Sequence, residues 1–302
     1  MRIPQELAET LTAIVDEGSF DGAAFRLGIT QPAVSQRLRS LENLLGQVLL
    51  IRSRPVRATK AGEAVVRLAR QIAHLEADTV IELGIAEADA RTSLPIAVNS
   101  DSLSTWFLEP LARLSARLPL VFDLHRDDQD FTVGLLESGT VLAAVTSRET
   151  PIAGCRVTPL GAMHYRPMAT RDFHRRWFPG GVTDAALALA PLVDFDRRDD
   201  LQTRWLRGRG IDPALPPRHR VPASAEFADA VLCGLGWGQL LPFQADAGVA
   251  EGSLIPLDDS RIEVPLYWQQ WNVRSALLDE VAGEVVAHAR TVLFPVADGE
   301  RP

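Results

Sequence analysis

The 302-residue chain has little with which to staple or metallate itself. It contains two cysteines, Cys155 and Cys233, too few and too widely spaced for a disulfide framework or a thiolate metal site. His125, His164, His174, His219 and His288 show no metal-ligand spacing. No apolar run approaches the roughly eighteen residues of a membrane span, and the opening MRIPQELAET carries acid where a signal peptide would have its apolar core. The expectation is a cytoplasmic protein with no membrane partner. Missing too is any motif that sets a nucleophile beside an acid–base pair. GLGWG at 234–238 follows a helical pattern and precedes a strand, the reverse of a dinucleotide fingerprint. These absences argue against an enzyme and assign no catalytic residue, no metal and no cofactor.

What is present is an ordinary globular composition with an uneven charge. Apolar residues make up 46% and charged residues 23%, a balance that separates the chain from disordered sequences. Its length suits two or three domains. The chain carries −8, yet residues 30–70 hold Arg37, Arg39, Arg52, Arg54, Arg57, Lys60, Arg67 and Arg70 against Glu42 and Glu63. That window is +6, so the remaining residues carry −14. A basic block inside an acidic protein points to one polyanion-binding module joined to something else.

The window has a pattern. Leu7, Leu11, Ile14 and Val15 recur at helical spacing before Gly18. Ser19 can cap a short helix to Leu27, and Thr30 can cap a second, with Pro32 in its first turn and Gly46 at its end. Two helices joined by about three residues are a helix-turn-helix signature. The second one buries Val34, Leu38, Leu41 and Leu45. Its other face offers Thr30, Gln31, Pro32, Ser35, Gln36, Arg37 and Arg39, mostly donors suited to phosphates and base edges of double-stranded DNA. Val48–Ile51 and the segment RSRPVR at 52–57 predict a two-stranded wing whose basic tip, Arg52 and Arg54, would lie on a neighbouring phosphate or minor groove. From Thr59 to about Ala86 a single long helix is expected. Val65, Leu68, Ile72, Leu75 and Thr79 follow coiled-coil spacing and predict a dimer seam.

Beyond Arg91 strand-length and helix-length apolar runs alternate: Leu94–Val98, a helix over 105–117, Leu120–Leu124, a helix over 131–137, then Val141–Thr146. A second set follows from Arg166 to Leu241, closed by a strand at Val264–Trp271 and a helix over 275–292. This is the βαβ signature of parallel sheets, and two such sets predict a ligand cleft between lobes.

The residues FDGAAFRLGITQPAVSQRLRSLENLLG at 20–46 and VLLIRSRPVRATKAGE at 48–63 resemble the N-terminal domain of LysR-type transcriptional regulators. NSDSLSTWF at 99–107, PIAGC at 151–155, SAEFADAVLCGLGWGQLLP at 224–242 and PLYWQQW at 265–271 resemble the branch of that family that senses lysine and arginine. The resemblance covers essentially the whole chain. It implies an α/β protein with an N-terminal all-α winged helix-turn-helix domain at 1–58, a linker helix at 59–88 and an effector domain at 89–302. That last domain would be bilobal and periplasmic-binding-protein-like, with lobe one at 92–165 and 269–295 and lobe two at 166–268. It also implies control of transcription, commonly of an exporter for basic amino acids, by a homodimer or homotetramer. RNA polymerase would be a partner if the regulator activates.

In that setting the loop from Asn99 to Thr105 opens a helix, where free N–H groups favour a ligand carboxylate and Ser102 can add a hydroxyl. Asp101 beside an anion makes sense for a zwitterion with a basic side chain, lysine or arginine. Asp127, Asp128 and Asp130 suit either the distal cation or a solvated loop. Thr146 and Ser147 end a strand and would face the same cleft. Glu226 suits a ligand contact or simple pairing with its own helix dipole. The competing readings are a LysR-type regulator of another small carboxylate, or an α/β binding protein or enzyme whose N-terminal helices only oligomerise; the latter does not predict a basic wing.

Overall fold

The computed structural model describes residues 2–83, 91–126 and 134–296. Three helices, α1 (Gln5–Glu17), α2 (Phe20–Leu27) and α3 (Gln31–Leu45), form the N-terminal unit with a two-stranded wing, β1 (Leu50–Ile51) and β2 (Arg57–Ala58), paired antiparallel. The boundaries follow local chemistry. The Ser19 hydroxyl accepts from Gly22 N at the start of α2 and Thr30 from Ala33 N at the start of α3, while left-handed Gly28 and Gly46 end them. Leu11, Ile14, Val34, Leu38, Leu41 and Leu49 bury together beneath these helices.

Helix α4 (Lys60–Glu82) leaves this unit and runs to the larger part of the molecule. A Cβ on Gly62 would stand 2.1 Å from the Leu49 carbonyl oxygen, so glycine is required where the helix starts against the wing. Val65, expected in the dimer seam, is buried with Val66 and Ala69 in the core of the N-terminal unit. Ile72 is half-buried. Leu68, Leu75 and Val80, and Leu83 just beyond the helix, remain exposed. Two arginines lock the helix to the body. Arg70 donates to the Ser138 carbonyl (3.0 Å) and the Thr140 hydroxyl (2.9 Å) and pairs with Asp16 of α1, and Arg67 donates to the Glu137 carbonyl. One turn on, buried His74 lies 3.2 Å from the Ser275 hydroxyl.

The first lobe has a parallel core, β4 (Leu120–Arg126), β3 (Thr92–Val98) and β5 (Ala143–Thr146), extended antiparallel by β11 (Ile262–Trp271) and β6 (Cys155–Thr170). Helices α5 (Ser100–Thr105), α6 (Leu108–Arg117) and α12 (Ala276–Val292) belong to this half. One helix was expected over 105–117; the structure starts five residues earlier and interrupts it at Trp106 and Phe107, whose rings turn into the core. Trp268 and Trp271 are buried packing residues, as expected for the crossing strand.

The second lobe grows on the far end of β6, where residues 166–170 pair with β9 (Gly238–Leu240) and β10 (Leu254–Pro256). Parallel strands β7 (Leu192–Asp194) and β8 (Arg218–Arg220) and helices α9 (Leu201–Gly208) and α10 (Ser224–Leu232) complete it. Helices α7 (Arg171–Trp177), α8 (Asp184–Leu187) and α11 (Pro242–Glu251) lacked a clear apolar period in the sequence. Thus β6 and β11 are the two spans between lobes, and Tyr165, paired with Ile262, stands where they cross.

Candidate functional site

Two regions carry candidate chemistry. On the N-terminal unit, Gln31, Pro32, Gln36 and Arg39 are exposed on α3, Ser35 is half-buried, and the Thr30 hydroxyl is committed to capping. Arg37 lies 3.3 Å from Glu6 of α1, so part of its charge is answered inside the protein. Arg52, Arg54 and Arg57 are exposed around the wing, and Val56 N donates to the Gly18 carbonyl, tying the wing to the turn before α2. The unit thus presents α3 and the wing together as a surface carrying Arg39, Arg52, Arg54 and Arg57.

The second region is a cleft of about 340 Å³ between the lobes, in the size range of small-molecule sites. Asn99, Ser100, Asp101 and Ser147 line it from lobe one, and Tyr165, Glu263 and Val264 from the crossing strands. Lobe two contributes Phe195, Asp196, Arg198, Asp199, Asp200, Gln202, Arg204, Phe227, Gln239 and Gln244. Asp101 stands at the meeting point. One carboxylate oxygen accepts from the Tyr165 hydroxyl at 2.6 Å and the other from the Ser224 hydroxyl of α10 at 2.5 Å. Ser224 is itself held by Gln244, whose amide donates to its carbonyl and hydroxyl oxygens. Burial, and then the neighbouring Asp101 charge, hold the Tyr165 phenol well above its usual range, so it stays a donor.

The segment from Phe195 to Leu201 is shaped by two aspartates. Asp196 accepts from the backbone N–H groups of Arg198 and Asp199, and Asp199 from those of Phe195 and Leu201. Burial raises the Asp199 carboxyl above its ordinary value, although its two N–H partners pull the other way. Five carboxylates and two guanidinium groups therefore share the cleft lining. The field there is negative.

Of the residues expected to meet a ligand, Asn99, Asp101 and Ser147 line this cleft. Ser102, the third residue of α5, is fully buried and does not line it, whereas Ser100, two positions earlier, does. Thr146 is likewise buried, its hydroxyl accepting from Arg148 N, and Glu226 is exposed on α10 away from the lining. Asp127, Asp128 and Asp130 lie outside the described residues. Sequence reading did not anticipate Tyr165, Asp199, Gln202, Gln239 or Glu263. The run DFDRRDD at 194–200 before a helical stretch was the available signal for Asp199. Cys155 is half-buried, and burial pushes its thiol up to about 11, so it stays protonated as a small packing side chain. Among the described residues no cluster of side chains suits a metal ion, and no helix is long and apolar enough to cross a membrane.

Comparison with known proteins places these two regions. Residues 6–63 match the profile described as bacterial regulatory helix-turn-helix protein, lysR family, and residues 87–290 match the LysR substrate binding domain. The chain is 41% identical over 287 residues to the lysine export transcriptional regulatory protein LysG of Corynebacterium efficiens, covering 94% of this chain and 97% of that one. The crystal structure of ArgP from Mycobacterium tuberculosis superposes with a TM-score of 0.89 at 40% identity, covering 98% of this chain and 99% of that one. Full-length LysG from Corynebacterium glutamicum with bound effector Arg superposes at 0.81 with 37% identity, covering 97% and 100%.

The Asp101 contacts make a stability prediction. Each is a hydrogen bond to a charged acceptor, worth roughly 1.5–3 kcal/mol. Tyr165→Phe and Ser224→Ala should each lower unfolding stability by about that amount in denaturant titrations. The double variant should lose less than the sum, since both act on one carboxylate. Wild-type stability in both single variants would show that neither bond holds the lobes.

Proposed function

The chain belongs to the LysR family of bacterial helix-turn-helix transcriptional regulators, and from that premise we propose that its effector is a basic amino acid, lysine or arginine, held in the cleft between the lobes. The observation that carries this reading is the cleft wall itself, where Asp101, Asp196, Asp199, Asp200 and Glu263 face Arg198 and Arg204. Carboxylates in that excess, with Asp199 largely buried, favour a ligand that brings net positive charge, and they disfavour a simple carboxylate metabolite. Asn99, Asp101 and Ser147 are the lobe-one contacts of this reading. The bound arginine of the C. glutamicum relative and the lysine export of the C. efficiens relative support it, and the latter also supports an amino-acid exporter gene as the target. In the same reading residues 1–58 form the DNA-binding domain, 59–88 the linker and 89–302 the effector domain. It places the protein in the cytoplasm, where its DNA is.

Calorimetry tests the ligand. Asp101→Asn should weaken lysine and arginine far more than a neutral amino acid, because only the former bring a second positive charge. Acid adds a second test. Burial raises the Asp199 pKa, whereas a cationic ligand beside it would favour the carboxylate and lower that pKa. Binding therefore releases a proton, and affinity should fall as the pH drops through the raised value. Equal binding of leucine and lysine, or a lysine affinity that rises on acidification, would remove the basic-ligand assignment.

Operator contact is assigned to Gln31, Pro32, Ser35, Gln36, Arg37 and Arg39 of α3, with Thr30 setting the helix start, and to Arg52 and Arg54 of the wing. Arg52→Ala and Arg54→Ala should weaken binding to all duplexes alike and reduce the dependence of log affinity on log salt by about one for each phosphate no longer neutralised. Ser35→Ala and Gln36→Ala should instead blur the choice among sequences. An unaltered salt slope would take the wing off the DNA. Mapping of binding sites across the genome identifies the target, and the absence of a site upstream of an exporter gene would refute that part.

The exposed Leu68, Leu75, Val80 and Leu83 support a homodimer through α4, with the tetramer as a further assembly. Leu68→Arg with Leu75→Arg would set charges in that seam at a cost of several kcal/mol. Sedimentation of the double variant as a monomer is the expected result; a persisting dimer would move the main interface elsewhere.

A further inference from the structure

The cleft contains an amide that the protein leaves unanswered. Gln239 lies on β9, a strand of lobe two, with 2% of its surface exposed, and it lines the cleft. Neither its Oε1 nor its Nε2 has a hydrogen-bond partner in the protein. Because both ends are unpaired, the observation does not depend on which end is nitrogen. Gly238 packs its α carbon toward Val231 and Phe227, and across the lining the Gln202 amide nitrogen donates to the Val193 carbonyl at 2.7 Å. Gln202 Oε1, fully buried on α9, is unpartnered as well. Buried polar groups of this kind cost stability unless something pairs with them, and here the three atoms belong to the lining of one cleft.

We propose that Gln239, with Gln202 beside it in the lining, recognises the α-amino-acid head group of the effector. The inference rests on the basic amino-acid reading above and assigns one end of that ligand. On lobe two the unpaired set is one donor and two acceptors, and Asn99 Oδ1 of lobe one is a further unpaired acceptor in the lining. A guanidinium or side-chain ammonium offers donors alone and would leave Gln239 Nε2 unpaired. An α-ammonium beside an α-carboxylate offers both kinds, so the carboxylate accepts from Nε2 while the ammonium donates to the amide oxygens. The distal cation is then left to Asp101 and Glu263, on the lobe-one and crossing-strand side of the cleft. Gln239 is in this view the group that separates an amino acid from a plain polyamine.

The test uses the full-length protein and two probes, L-arginine and agmatine, which keeps the guanidinium and lacks the α-carboxylate. By calorimetry the wild type should prefer arginine. Gln239→Leu should lower arginine affinity about ten- to a hundredfold, the loss of a hydrogen bond to a charged group, and weaken agmatine clearly less, since agmatine keeps the ammonium but has no carboxylate for Nε2. Unliganded Gln239→Leu should melt at or above the wild-type temperature, because an unpaired buried amide has been replaced by an apolar group. A packing role for Gln239 predicts the opposite shift. Gln239→Glu guards against misfolding of the first variant: its charge should repel the arginine carboxylate and strengthen agmatine, reversing the preference. Arginine affinity unaffected by either substitution, or arginine and agmatine weakened equally, would overturn the proposal while the basic-ligand reading stands. A wild-type protein that binds neither arginine nor lysine would overturn both.

Discussion

The carboxylate of Asp101 is the point on which the arrangement of the effector half turns. It sits at the second position of a short helix of lobe one, yet its two oxygens are taken by a tyrosine on a crossing strand and a serine on a helix of lobe two. Two lobes joined by two spans of backbone can hinge freely unless something else ties them, and this is such a tie. It is also labile in a useful way. Both partners are neutral hydroxyls, so a cation entering the cleft competes for the same oxygens with a full charge. One acid is therefore able both to hold the lobes and to report on what lies between them.

The electrostatics of the cleft follow from how the chain reaches it. Asp196 and Asp199 are first of all turn builders, each accepting two backbone N–H groups at the entry to a helix. Their charges are a by-product of local folding that the site can use. Burial makes the Asp199 charge costly, as its raised carboxyl records. A cavity built of charges that the fold must already desolvate is primed for a counter-ion, because part of the desolvation has been met before the ligand arrives.

The sequence made some of this legible and hid the rest, for reasons that can be named. The helix-turn-helix was readable because its signals are local: Ser19 and Thr30 as caps, Gly28 and Gly46 as stops, and a periodic apolar face. The lobes were readable as strand–helix alternation, and Asp101 as an acid at a loop of a parallel sheet. Ser102 and Thr146 misled because a shift of one or two positions around a short helix or strand end exchanges an inward hydroxyl for one facing the opening. Val65 misled because the heptad spacing cannot tell a partner helix from the helix's own domain. Tyr165, Gln239 and Glu263 were invisible, since they reach the cleft only through the pairing of strands about seventy to one hundred residues apart, a separation that no local pattern encodes.

Arg70 bears on how a signal can leave the cleft. Its guanidinium holds a carbonyl and a hydroxyl of lobe one with one nitrogen and a carboxylate of the first helix with another, while Gly139 packs so closely that a Cβ there would stand 3.2 Å from the Arg67 backbone. Reading head, shaft and lobe one are thereby tied to one another through Arg70. Lobe two, attached through two strands and the Asp101 bonds, is the piece left to swing. In mechanical terms the effector cannot push the reading head directly. It resets the angle of a rudder, and what changes is the outline of the molecule on the lobe-two side.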